Sequence, residues 1–174
     1  RYARRAPEGG AMAPRTPRDV QAALEAAGLD IRIVTHEAPT ATAQEAADAI
    51  GTALGAIAKS LLFLVDGGPV LVLAAGDRTV DARRLGAEFG VGRKKVRIAD
   101  AETTVAVTGY APGGVPPLGH ARDLPVLVDA SLGRFETVHA AAGSPHATFP
   151  IPFARLVEAT GGRVLDLARD DGRG

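Results

Sequence analysis

Apolar positions along the chain fall into two rhythms. Helical spacing recurs in "PRDVQAALEAAG", where Val20, Leu24 and Ala27 share a face, Thr16 stands at the cap and Gly28 at the stop. A second helix is predicted for "TAQEAADAIG", opened by Thr42 and Glu45 at capping-box spacing and closed by Gly51. "DARRLGAEFG", with Leu85 and Phe89 four apart, "DAETTVAVTG", capped by Asp100, and "FARLVEATGG" read as three more. The other rhythm belongs to strands. "DIRIVTHE" nearly alternates and predicts a half-buried one. "AKSLLFLV" and "PVLVLAAG" are apolar at odd and even positions alike, so their sheet is covered on both faces, and Asp66, Gly67 and Gly68 supply a tight connection. "KKVRIA", "PVLVDA", "ETVHAAAG" and "ATFPI" complete the set. Hairpins and helices are interspersed without strict βαβ alternation, which predicts a single α+β domain with a mixed, strongly curved sheet.

Composition narrows the picture. A chain of 174 residues fits one domain. With 4% aromatic residues and no Trp, its core must come from Ala, Val and Leu. Twenty basic residues balance twenty acidic ones, so any nucleic-acid contact must be local. The candidate is the stretch from Arg78 to Arg97, where Arg78, Arg83, Arg84, Arg93, Lys94, Lys95 and Arg97 face only Asp81 and Glu88. It reads equally as a solvated helix and turn. The absence of Cys excludes disulfides, iron–sulfur ligation and thiol catalysis by the protein. No apolar run suits a membrane, and the chain is expected to be cytoplasmic. Residues 1–16 are rich in Arg, Pro, Gly and Ala and are expected to be a flexible extension, with Arg1 to Ala11 upstream of a start at Met12. The domain is expected over 17–170, with "ARDDGRG" frayed.

Several motifs fail on inspection. "GTALGAIAKS" has Ala58 where a phosphate-binding loop needs glycine, "GVGRKK" puts Lys95 at the third glycine of a dinucleotide fingerprint, and "GSPHA" lacks the second glycine of a nucleophile elbow. His36, His120, His139 and His146 form no HExxH pair, so no metal site and no cofactor are expected.

Three features stay odd. Lys59 shares a strand face with Leu61, Phe63 and Val65, where an unpaired ammonium is costly; either it has a function or its stem snorkels out at the sheet margin. "GYAPGGVPPLGH", residues 109–120, pairs Gly113 and Gly114 with the brace of Pro116 and Pro117. This is either a rigid turn or a bare strip of N–H groups for an oxyanion. In "AAGSPHATFPI", Ser144 and His146 offer a nucleophile and base, or simply a Gly143-Ser144-Pro145 turn.

Taken in order, "THEAPTATAQEAADAIG", "AKSLLFLV", "LAAGDRTVDARRLGAEFG", "RKKVRIADAE", "TGYAPGGVPPLGH", "LPVLVDASL" and "AAGSPHATFPI" resemble the YbaK/EbsC family, which includes the prolyl-tRNA synthetase-associated editing domain. The resemblance runs from about Pro17 to Asp170. It implies a barrel-like sheet flanked by helices and a trans-editing aminoacyl-tRNA deacylase, whose partners are a mischarged tRNA, in the first instance proline tRNA carrying a small amino acid, and an aminoacyl-tRNA synthetase. The family's lysine falls on Lys59, its hydroxyl neighbour on Ser60 and the first loop glycine on Gly113. In this scheme Gly113 and Gly114 donate N–H groups to the ester carbonyl, Lys59 supplies positive charge, and the tRNA's 2′-hydroxyl shuttles the proton. Substrate contacts are expected from His36, Thr42, Ser60, Gly143, Ser144, His146 and Thr148. The chain departs from cysteinyl-tRNA(Pro) deacylase-like members at Thr148, in place of aspartate, at Ala141, in place of serine, and at His36, in place of an aromatic. Thr148, Phe149 and Ala141 point to a small, less polar pocket for alanine, serine or a short aliphatic amino acid. Two alternatives remain: a non-catalytic tRNA- or synthetase-binding module, and a small-molecule esterase using Ser144 and His146.

Overall fold

In the computed structural model, which describes residues 13–169, the two longest apolar runs pair with each other. Strands β2 (Ile57–Val65) and β3 (Gly68–Ala75) form an antiparallel hairpin from Ala58↔Ala75 to Val65↔Gly68. Asp66 and Gly67 make its two-residue turn with φ of 49° and 83°, the left-handed pair that matches strand twist. Expectations for residues 1–12 and 170–174 lie outside the described residues.

Around this hairpin the remaining strands are β1 (Val34–Thr35), β4 (Val96–Ile98), β5 (Val126–Asp129), β6 (Thr137–Ala141), β7 (Ala147–Pro152) and β8 (Arg163–Leu165). The order is β1-β7-β6-β2-β3-β5-β8, with β4 also on β2. β2–β6, β3–β5 and β5–β8 are parallel and the other pairs antiparallel, giving one mixed, curled sheet in a single α+β domain.

The second edge of β2 is shared. Its first residues pair with β6 at Ile57↔His139 and Ala58↔Ala140, and its last pair with β4 from Phe63↔Ile98 to Val65↔Val96. Among the described residues, 59–61 have no ladder partner on that side, and Leu62 C=O accepts from Ala99 N–H at 2.9 Å.

Helices α1 (Pro17–Ala26), α2 (Ala43–Ile50), α3 (Ala82–Glu88), α4 (Ala101–Thr108) and α5 (Phe153–Thr160) fall where the apolar spacing predicts. In α2 the Thr42 hydroxyl accepts from Glu45 N–H at 3.1 Å while the Glu45 carboxylate accepts from Thr42 N–H at 3.1 Å. Three details differ from expectation. Ala27 is exposed, because α1 ends one residue earlier. Phe89 lies past the end of α3 and is 41% exposed, while Leu85 is fully buried. The strand expected over "DIRIVTHE" shrinks to Val34–Thr35. The Gln21 amide donates to Ile31 C=O at 2.9 Å and accepts from Ile33 N–H at 3.3 Å, so a side chain takes the bonds a neighbouring strand would have made.

The hairpin faces bury two cores. Ala58, Leu71, Leu73 and Ala75 join Val20, Leu24, Val128, Leu132 and Phe149 on one side. Phe63, Val65, Val70, Val72 and Ala74 join Leu85 and Leu127 on the other. Each fully buried Val, Leu or Phe contributes roughly 1.5–3 kcal/mol.

Asp129 closes the structure at its C-terminal side. Only 1% exposed, its carboxylate accepts from the backbone N–H groups of Leu167 (2.8 Å), Ala168 (3.1 Å) and Ser131 (3.2 Å), and from the Ser131 hydroxyl. Asp129→Ala would strand these donors in the interior. Because a hydrogen bond to a charged group is worth about 1.5–3 kcal/mol, the substitution is expected to cost at least about 3 kcal/mol in urea unfolding. A loss under about 1 kcal/mol would show that the C-terminal segment is held by something else.

Candidate functional site

The break in β2's pairing opens onto a cavity of ≈ 210 Å³. Its floor follows from register. Pleat alternation puts Ile57, Lys59 and Leu61 of β2, His139 and Ala141 of β6, and Thr148 of β7 on one face of the sheet, and all six line the cavity. Opposite them stand residues 40–43 and Ala46 at the start of α2, together with Gly113. The space is open because Ala41, Ala43, Ala46 and Ala141 project so little into it.

Lys59 occupies the seam between two apolar clusters, Ala46, Ala47 and Ile57 on one side and Phe63 and Val65 on the other. Its stem therefore costs little, and its half-buried amine donates to the Arg78 carbonyl at 2.7 Å. Burial pulls its pKa below the ordinary lysine value, and the field of the Asp77 carboxylate opposes that shift. Asp77 is itself gripped by Arg134 through contacts of 2.7 and 3.1 Å, which hold its carboxyl below the usual range. Ser60, the next residue, alternates toward the other face; its Oγ is buried without a hydrogen-bond partner among the described residues.

The loop over 109–120 is pinned at many points. Tyr110 Oη donates to Gly119 C=O at 2.8 Å, His120 Nε2 meets Pro116 C=O at 2.6 Å, and Arg15 N–H donates to Gly109 C=O at 3.0 Å. Gly113 takes φ +88°, and a Cβ there would press within 3.1 Å of Ala41. Among the described residues no acceptor meets the Gly113 N–H, and Gly113 lines the cavity.

Gly114 requires a correction. It is buried, lies outside the cavity, and its N–H donates to Ala111 C=O at 3.0 Å while its carbonyl accepts from Gly143 N–H at 2.9 Å. It braces the loop, and its N–H is already spent. A side chain at Gly114 would meet the Ser144 backbone at 3.1 Å.

The other expected residues separate. Thr42, Ser60 and Thr148 line the cavity; His36, Gly143, Ser144 and His146 do not. His36 stands behind Thr148, its Nε2 2.7 Å from Oγ1. Gly143 belongs to the loop brace. The Ser144 hydroxyl accepts from the backbone N–H of His146 at 3.1 Å, and no hydrogen bond joins Ser144 Oγ to the exposed His146 ring. The nucleophile–base pair expected of an esterase is therefore not assembled. His139, set aside in the sequence as one of four unpaired histidines, does line the cavity. The signal that could have found it was its odd-position alternation with Ala141, which only the β2–β6 register converts into a shared face with Lys59.

Basic residues after β3 are partly neutralised. Arg78 meets Asp77 at 3.3 Å, Arg84 meets Asp166 at 3.0 Å and Lys95 meets Asp66 at 3.9 Å. Arg83, Arg93, Lys94 and Arg97 make no ion pair among the described residues. Those four are what remains of the positive stretch. No group of His, Asp or Glu among the described residues could hold a metal ion, and no described helix is long and apolar enough to cross a membrane.

Comparison with known proteins gives consistent matches. Residues 37–159 match the model of the aminoacyl-tRNA editing domain. The chain is 36% identical over 140 residues to YwhH of Bacillus subtilis (strain 168), covering 79% of this chain and 87% of that one. It is 32% identical over 127 residues to the multifunctional Ser/Thr-tRNA deacylase ProXp-y of Escherichia coli (strain K12), covering 70% and 74%. A solved structure provisionally assigned as a trans-editing enzyme for prolyl tRNA synthetase superposes with a TM-score of 0.82 at 36% identity, covering 92% of this chain and 99% of that one.

The geometry around Lys59 fixes a titration. Followed by NMR at the Lys59 Cε protons, the amine is expected to deprotonate below an ordinary lysine. Asp77→Asn should move the midpoint lower again, since it removes the charge that favours the ammonium. An ordinary midpoint in the parent, or no movement in the variant, would contradict this account of the site.

Proposed function

The chain belongs to the aminoacyl-tRNA editing domain family, and from that membership we propose that it is a trans-editing deacylase that hydrolyses the ester joining a small amino acid to the end of a mischarged tRNA. The observation that carries this reading is the meeting of Lys59 and the Gly113 loop at one small cavity, with Thr42, Ser60 and Thr148 around them. Pockets for drug-sized ligands run to about 300–1,000 Å³. A cavity of ≈ 210 Å³ suits an acyl group of a few heavy atoms, leaving the nucleotide outside.

An aminoacyl ester is already activated, so the protein's task is to orient the reacting groups and stabilise the charge that develops on the carbonyl oxygen. The Gly113 N–H is the donor for that oxygen. Lys59 supplies positive charge near the reacting ester from its anchor on Arg78. The proton passes through the tRNA's own terminal 2′-hydroxyl, which agrees with the absence of cysteine and of an assembled Ser144–His146 pair. Proline tRNA carrying alanine or serine is the substrate this reading favours, with a prolyl-tRNA synthetase as the enzyme whose errors are corrected.

The rest of the tRNA would run along β2 toward β4. Arg97 stands opposite Leu64, five residues beyond Lys59 on β2, which is about 17 Å of strand, and the turn bearing Arg93 and Lys94 lies just beyond. An ester seated beside Lys59 would bring phosphates of the chain that carries it toward Arg97 and this turn.

Two measurements test the proposal. With proline tRNA charged in turn with alanine, serine, cysteine and proline, the parent should release at least one small noncognate amino acid, and Lys59→Ala should slow that release about 100-fold or more. Undiminished hydrolysis in the variant would remove Lys59 from the mechanism. Replacing Lys94 and Arg97 by alanine should lower the salt slope of tRNA binding by about one unit for each phosphate that is no longer neutralised; an unchanged slope would place the acceptor stem elsewhere.

A further inference from the structure

Three ionisable or hydroxyl side chains rise from the cavity floor: Lys59, His139 and Thr148. Two are engaged, Lys59 with the Arg78 carbonyl and Thr148 with His36. On the opposite wall the Thr40 hydroxyl donates to Pro145 C=O at 3.1 Å, and the Thr42 hydroxyl caps α2. Among the described residues the imidazole of His139 has no hydrogen-bond partner at all. It is half-buried, directly opposite Ile57 in the parallel register and one diagonal step from Lys59. Burial alone acts on it and lowers its pKa, so it stands neutral with at least one ring nitrogen available as an acceptor.

None of the described residues that line the cavity carries a carboxylate. An aminoacyl ester brings an amino group, protonated or neutral, that must lose water to enter and therefore needs an acceptor. Lys59, the only cation on the floor among the described residues, is turned to Arg78. Resting on the deacylase reading above, we propose that His139 is a substrate-binding residue whose imidazole accepts a hydrogen bond from the α-amino group of the aminoacyl moiety. The site thereby recognises α-amino acyl groups over acyl groups of the same shape that carry no α-donor. A neutral acceptor serves here where a carboxylate would not, because a fixed anion on this floor would oppose the oxyanion that the cavity has to stabilise.

The test is binding, which needs no turnover. Two non-hydrolysable amide analogues of 3′-acylated adenosine are used, one carrying an alanyl group and one a propionyl group, in which hydrogen replaces the amino group. The parent should bind the alanyl analogue roughly tenfold or more tighter, the range of one charge-assisted hydrogen bond. In His139→Ala that preference should vanish while affinity for the propionyl analogue stays, which also reports a folded pocket. His139→Gln keeps an acceptor of similar reach and should restore part of the preference. Equal binding of the two analogues by the parent, or a preference that survives in His139→Ala, overturns the assignment. If the protein deacylates tRNA yet shows no preference, His139 loses its role and the deacylase reading stands. If it neither deacylates tRNA nor binds either analogue, both fall together.

Discussion

The interrupted pairing of β2 is the constraint on which the site depends. Paired along all of β3 but only at the two ends of its other edge, the strand leaves residues 59–61 facing a gap between β6 and β4. An open strand edge invites another chain to pair with it. Here the start of α2 and the Gly113 loop stand across the opening without forming a ladder, so the edge is covered and a cavity remains. The same break divides the strand's odd face into two apolar clusters, and Lys59 sits at the seam. The one lysine that the strand pattern makes improbable thus occupies the one place where its stem can be buried and its amine can still find an oxygen.

Local chemistry was legible before topology. The Thr42–Glu45 box and the Asp66-Gly67 turn follow from short-range hydrogen bonding and φ preference, and both appear as the residues dictate. Lys59 and Gly113 stood out as residues whose surroundings had to explain them. Partnership over long range was less visible. Nothing in the run "PVLVDA" says that β5 lies parallel to β3, and nothing in "ETVHAAAG" says that β6 lies parallel to β2. His139 is the consequence, since its relation to Lys59 exists only through that second pairing. The fate of single backbone groups was equally hidden: Gly113 and Gly114 are alike in sequence, yet among the described residues only the Gly114 N–H finds an acceptor.

That asymmetry explains the composition of the loop. A donor that must meet an oxyanion gains by being fixed before the charge appears, because reorganising it during reaction raises the barrier. Gly114 gives its N–H to Ala111 and its carbonyl to Gly143, while Tyr110, His120 and Arg15 hold the loop's two ends. The neighbouring Gly113 is then oriented by a frame in which little is left to move. Its left-handed φ and its approach to Ala41 require a residue without a side chain.

Charge in the cavity is one-sided. Lys59 and the Gly113 N–H, which meets no acceptor among the described residues, present positive potential to the cavity, and none of the described residues that line it is acidic. A field of this kind does little for a neutral ester and much for the same ester once its carbonyl oxygen turns anionic. On the proposed reading that difference is the source of catalysis, since only interactions stronger in the transition state accelerate the chemistry. It also accounts for the partial desolvation of Lys59. Full burial would strip the amine of its proton and remove the field, whereas full exposure would let water screen it. Held on Arg78 within reach of the Asp77 field, the amine lies between those limits.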